Sequence, residues 1–187
     1  MNARPEDYVS ASNPLSGIGG NPNPANFRFG SITGTMTEGG GPQAAFDGNT
    51  HKPSWMSAAI TRPGSSFDNY VAMNWAEYPG GSHPTGLDVP VIVHTLSSYK
   101  ICAPVDSTFG SSSYVVQGSN VAGGFATWTT LASSGLVGII GETVTGSVSP
   151  SGPYQFHRVG FWGGGGRSIA VAQVQFNVAD TATMTTS

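Results

Sequence analysis

Ser168-Ile169-Ala170-Val171-Ala172-Gln173-Val174-Gln175-Phe176-Asn177-Val178 is the stretch from which the fold is read. Side chains of an extended chain alternate with a period of two, so Ala170, Ala172, Val174, Phe176 and Val178 share one side and Gln173, Gln175 and Asn177 the other. One buried face and one wet face is the pattern of an antiparallel sheet packed on one side, and it fixes the register of this strand. Outward from it, short β-like runs recur between Gly, Pro and Ser clusters, and no stretch after Phe29 keeps helical periodicity for the length of a normal helix. The candidate strands are Tyr70 to Trp75, Val89 to Leu96, Ser98 to Ala103, Tyr114 to Gly118, Thr127 to Leu131, Leu136 to Ile140, Glu142 to Val148, Tyr154 to Trp162 and Ser168 to Val178. Their spacing predicts an all-β sandwich or jelly roll.

Composition excludes several functions. Of 187 residues only 9% are charged, the formal net charge is −3, and Lys and Arg together number 7. No basic stripe can form to neutralise phosphates, so nucleic acid is not an expected partner. No apolar run is long enough to span a bilayer, and the first twenty residues hold no continuous hydrophobic segment. The chain is therefore expected to be soluble, without membrane insertion and without an export signal. Cys102 is the single cysteine, which rules out an intrachain disulfide, and its alternating surroundings predict a small buried hydrophobe. Asn, Pro, Gly and Ser dominate residues 1–30, a segment that cannot bury enough to fold alone. The expected organisation is an extended N-terminal docking arm over 1–30, a β-sandwich over 31–179 and a Thr-rich C-terminal tail over 180–187.

Several pieces, in order, carry a family resemblance. Ala45-Phe46-Asp47-Gly48-Asn49 followed by Ser54-Trp55-Met56-Ser57, then Ser98 to Pro104, then Val116-Gln117-Gly118-Ser119-Asn120 with Trp128-Thr129-Thr130-Leu131, resemble the signatures of discoidin-like domains. These are also called coagulation factor 5/8 type C or galactose-binding-like domains. Tyr154 to Val159 and Ile169 to Phe176 are similar to the family's two closing strands, and the resemblance covers roughly residues 35 to 178. It implies an eight- or nine-stranded jelly-roll β-sandwich that binds glycans, lipid headgroups or proteins through loops at one end, without catalysis. It also implies a structural calcium near the Asp-Gly-Asn turn, at Asp47 and Asn49, where hard oxygen ligands suit that ion. Two departures stand out. The gap from Asp47 to Trp55 is one residue longer than the family pattern, and Gln173 stands where a closing-strand glutamate often completes the site. Trp55 matches a family tryptophan that is commonly in the core, and Arg158 an arginine that is packed and paired.

The chemistry-bearing residues form no catalytic pattern. There is no Gly-x-Ser-x-Gly elbow, His51, His83, His94 and His157 show no zinc spacing, and Gly163 to Gly166 fits neither a dinucleotide nor a phosphate loop. Sugar recognition uses an aromatic face beside a few polar groups. Two loops meet that description: His51, Lys52 and Arg62 flank Trp55, and Trp162 with Arg167 brackets the glycine tip. His51, Lys52, Arg62, Trp162 and Arg167 are thus the candidate ligand-binding residues, with Asp47 and Asn49 the candidate metal ligands.

Three functions stay open on the sequence. The first is a non-enzymatic virion protein, a bacteriophage head decoration or fibre module. It would dock through its arm on other virion or capsid subunits as a homo-oligomer or part of a large assembly, and present a jelly roll to host-surface polysaccharide. The second is a carbohydrate-binding module of a secreted bacterial protein, with the arm as a linker. The third is a purely architectural lattice subunit without ligand. The low charge suits a polar, subunit-packed surface, because Ser, Thr and Asn satisfy neighbours without the desolvation cost of charges.

Overall fold

The computed structural model describes residues 31–61, 67–74, 91–120, 128–149, 152–163 and 167–184. The arm over 1–30, Arg62, His83, most of the glycine tip and the last three residues lie outside them. Eleven strands occur among the described residues: β1 Ser31–Gly34, β2 Glu38–Gly39, β3 Ala58–Ile60, β4 Asn69–Asn74, β5 Val91–Cys102, β6 Ser111–Ser119, β7 Thr129–Gly135, β8 Thr143–Ser147, β9 Phe156–Gly163, β10 Ile169–Val171 and β11 Gln173–Met184. They form a five-stranded sheet in the order β1-β4-β9-β6-β7, a three-stranded sheet β11-β5-β8, and a small sheet β10-β3-β2. The all-β expectation holds, and every described strand pairing is antiparallel. The strand number exceeds nine because β2, β3 and β10 close one flank; such short strands leave no alternation to read in the sequence.

The two larger sheets share one core. Val71 and Met73 of β4, Tyr114 and Val116 of β6 and Val159 and Phe161 of β9 belong to the same buried cluster as Tyr99 and Ile101 of β5 and Val174, Phe176 and Val178 of β11. Tyr99 and Tyr114 meet across the sheets with hydroxyls 2.8 Å apart and rings edge-on at 66°. Burial and this partner push the Tyr114 phenol above its ordinary range. Gly146 lies opposite Tyr99 in the β5–β8 pairing, and a Cβ there would fall on the Tyr99 ring and hydroxyl. The glycine is what lets the phenol lie flat across β8.

Four sequence expectations need correction. Val89 to Leu96 and Ser98 to Ala103 are not two strands. They make one strand, β5, in which Ser97 is an extra residue: Asn177 pairs with Ser98 and Val178 with Leu96. A bulge leaves one residue unpaired without ending the strand, which imitates a break in the alternation. The closing run divides at Ala172, where the chain leaves the small sheet for the β11-β5-β8 sheet, and Ala172 N donates to Cys102 O. Both faces are covered at that crossing, so Gln173 is buried instead of wet. β11 then runs on to Met184, pairing with Val91, so strand continues past the expected start of the tail at residue 180. Leu136 to Ile140, finally, is not a strand: residues 136–139 form an irregular loop that ends in a turn at Ile140 and Gly141. Gly138 and Gly141 take left-handed φ of 80° and 68°, and the Glu142 carboxylate accepts Val137 N at 2.8 Å and Gly138 N at 2.9 Å.

Candidate functional site

Strand polarity gathers a set of loops at one end of the sandwich. Cys102 ends β5 beside Thr143 at the start of β8, and Ser111 begins β6 beside Gly163 at the end of β9. Ser113 pairs with Gly135, the last residue of β7. The connections 103–110 and 136–142 therefore emerge together, at the end of the sandwich where β9 finishes at Gly163, and Ser54 joins them.

Hydrogen bonds join three of these segments into one surface. Ser54 N donates to Asp106 Oδ1 at 2.8 Å, Val105 N to Lys52 O at 3.2 Å, and Gly141 N to Ser107 O at 2.9 Å. Trp55 stands out from this surface at 71% exposure, with Met56, Val105, Val137, Ile139 and Ile140 also exposed. The core position implied for Trp55 is therefore overturned. Pro53 leads into a 3-10 turn over Ser54–Met56 that carries the indole outward. The extra residue between Asp47 and Trp55 was the one sign of this in the sequence. Asp106, Val105 and the two isoleucines had no such sign, because they come together only through loop packing.

The second group is built on β9. Trp162 is 41% exposed, and its ring takes the Phe67 ring edge-on at 5.4 Å between centroids. Ser111 Oγ donates to the Trp162 carbonyl and pins the backbone behind the indole. Arg167, exposed, follows the glycine tip and precedes β10. An aromatic face held from behind, with a guanidinium nearby in the chain, can stack on a pyranose ring and donate hydrogen bonds to its hydroxyls. Arg158 lies elsewhere, buried on the outer face of the five-stranded sheet. Its guanidinium lies 4.9 Å from the Tyr70 ring centre and 4.2 Å from that of Trp128, and its Nε donates to Gln117 Oε1 at 2.7 Å. It is a packing residue.

Of the five candidate ligand contacts, His51, Trp162 and Arg167 present exposed surface, and Arg62 lies outside the described residues. Lys52 drops out of the set. It is 2% exposed, and its ammonium donates to Asp47 Oδ2 at 2.7 Å and to the Ala44 carbonyl. Burial lowers its pKa from the ordinary lysine value, against the opposing hydrogen bond and charge of Asp47.

The same contacts test calcium at Asp47 and Asn49. That ion takes about six to eight oxygen ligands. Here Asp47 Oδ2 and Ala44 O hold an ammonium, Asp47 Oδ1 accepts Asn49 N at 2.9 Å, and Asn49 Oδ1 accepts His51 N at 3.0 Å. The side-chain oxygens of the turn are engaged and a positive charge already sits among them. The residues do not fit calcium, and among the described residues no group of three or more His, Cys, Asp or Glu side chains could hold a metal.

Comparison with solved structures identifies the architecture. A family 62 carbohydrate-binding module from Clostridium thermocellum Xyl5A superposes with a TM-score of 0.55 at 18% identity, over 81% of this chain and 96% of that one. A fucose-binding module of Streptococcus pneumoniae gives 0.54 at 16% identity over 85% and 96%. The family 32 module of C. perfringens NanJ, solved with galactose, gives 0.52 at 13% identity over 79% and 92%. The fold is the galactose-binding-like jelly roll. At these identities the likeness concerns the fold alone. No protein-family model matches the sequence, and no curated protein is significantly similar to it.

Proposed function

We propose that this galactose-binding-like domain is a non-catalytic carbohydrate-binding module that takes a sugar residue against Trp162, with Arg167 supplying hydrogen bonds. The carrying observation is the half-exposed indole backed edge-on by Phe67 and anchored through Ser111 at the loop end of the sandwich. Such a platform is ordered before ligand arrives, which spares the cost of fixing it on binding. Structural neighbours described as sugar-bound, including one with galactose and one with GalNAc-β-1,3-galactose, support this reading over a lattice role without ligand. The ligand class proposed is a neutral glycan, because the described residues at the end bearing the site offer few exposed cations beyond Arg167.

Screening the chain on a panel of neutral oligosaccharides and titrating any hit by calorimetry tests the proposal. Trp162→Ala should weaken binding at least about tenfold, some 1.4 kcal/mol. Binding that survives Trp162→Ala but is lost in Trp55→Ala would move the site to the neighbouring loop, and silence across the panel would sink it. Display on a virion, like export as a secreted module, turns on residues 1–30, outside the described part of the chain. The virion proposal predicts that deleting them abolishes assembly with particle subunits while the sandwich stays folded.

A further inference from the structure

The Ala44–Lys52 turn solves an electrostatic problem in an unusual way. Carbonyl and carboxylate oxygens converge on one point, as they would around a metal ion, yet the group at that point is the chain's own ammonium. Lys52 reaches back over the turn to Asp47 and Ala44, while its backbone carbonyl accepts Val105 N from the neighbouring loop. We propose that Lys52 is a built-in cation, its ammonium doing for this turn what a bound calcium would otherwise do, so that the domain folds and presents its loop end without metal.

Charge balance supports the assignment. A divalent ion among buried oxygens calls for about two carboxylates, whereas one ammonium is balanced by one. The turn supplies a single carboxylate, Asp47, and its other side-chain ligand type is a neutral amide, Asn49. Gln173, also a neutral amide, occupies the start of the closing strand and is fully buried, opposite Cys102. Cys102 is three residues before Val105, whose amide is bonded to Lys52 O. The one carboxylate that the turn supplies matches the one ammonium among its oxygens and falls short of what a divalent ion calls for.

The consequence reaches the candidate ligand surface. Trp55 follows Lys52 by three residues, and the Lys52–Val105 and Ser54–Asp106 bonds fasten that loop to its neighbour. With a tethered cation, this loop end needs no dissolved ion to keep its shape, and it keeps it in the presence of a chelator.

Thermal melts of the full chain in excess EDTA and in excess calcium chloride test the proposal, together with native-state amine labelling read by mass spectrometry at the chain's two lysines. Wild type should melt at the same temperature in both solutions, and Lys52 should label at least about tenfold more slowly than Lys100, since its amine is reached only by opening of the turn. A calcium-raised midpoint in wild type, or equal labelling of the two lysines, would overturn the idea. Lys52→Thr removes the ammonium and leaves a hydroxyl oxygen, and its midpoint in EDTA should fall by about 5–10 °C. Excess calcium should recover part of that fall, because an ion that binds only the folded turn raises the midpoint. A fall that calcium leaves unrepaired, or no fall, would refute the equivalence of the two cations. If the variant does not fold, the two wild-type measurements decide the matter alone.

Discussion

Lowering the pH from about 8 to about 5 offers protons that the folded chain is poorly able to accept at His94 and His157. Both imidazoles are fully buried. Burial lowers the His94 pKa to about 4, and burial together with the charge of neighbouring His94 lowers that of His157 to about 3. The Tyr154 and Phe176 rings flank His157. Unfolded, the same residues titrate near pH 6.5. Because the folded values lie below the unfolded ones, their contribution to stability is complete above about pH 6.5 and declines as the pH falls toward the folded values. In that window the unfolded chain holds up to two more protons, a slope of about 2.7 kcal/mol per pH unit once both are taken up. Integrated from pH 8 to pH 5, the loss is about 4 kcal/mol, a large share of the roughly 5–15 kcal/mol that holds a typical domain together. Urea unfolding followed by tryptophan fluorescence at half-unit steps across this range measures it, and the window stays above the main titration of carboxylates. His157→Gln should roughly halve the slope wherever the variant still folds. Stability that changes by less than about 1 kcal/mol between the two pH values would refute the assignment of two buried neutral histidines.

Two substitutions probe the frame that carries the loops. Gly146→Ala places a methyl group on the Tyr99 ring and must displace the phenol from Tyr114, so it should cost about 2–3 kcal/mol by denaturant unfolding; Gly135→Ala, whose nearest contact would be Ser112 O at 3.7 Å, should cost far less. Equal costs would show that Tyr99 yields freely. Glu142→Ala removes the acceptor of the Val137 and Gly138 amides and should speed hydrogen exchange at both while lowering stability by about 1–3 kcal/mol, and unchanged exchange would mean that the carboxylate does not hold this turn.

Strand alternation was legible wherever a strand lies half-buried on one of the two larger sheets. Val174, Phe176 and Val178 are buried and Gln175 and Asn177 are partly exposed, as their spacing predicts. It failed where a residue's environment is set by a change of sheet. Gln173 sits at the crossing from the small sheet to β11, where both faces are covered, and polarity in the sequence cannot announce that. Ser97 mimicked a strand end because a bulge and an interruption look alike along one chain. Leu136 to Ile140 mimicked a strand because apolar residues in an exposed loop have the same composition as a buried run; the left-handed glycines and the Glu142 carboxylate decide the matter.

For the candidate site, Trp162 and Arg167 were visible as an aromatic and a cation bracketing a glycine-rich connection. Trp55 and Lys52 were visible too, but in exchanged roles: the tryptophan expected in the core is outside, and the lysine expected to meet ligand is inside, bonded to Asp47. The sequence by itself determined the all-β class, the jelly-roll order of the pieces and the low charge of the chain, because alternation, turn residues and charge are local or additive properties of a chain. Only the tertiary structure decided which loops share an end, which face of a turn is buried and what cation sits among its oxygens, because those depend on groups such as Asp106, Val105 and Ser54 that are distant in sequence and meet only when the sheets close.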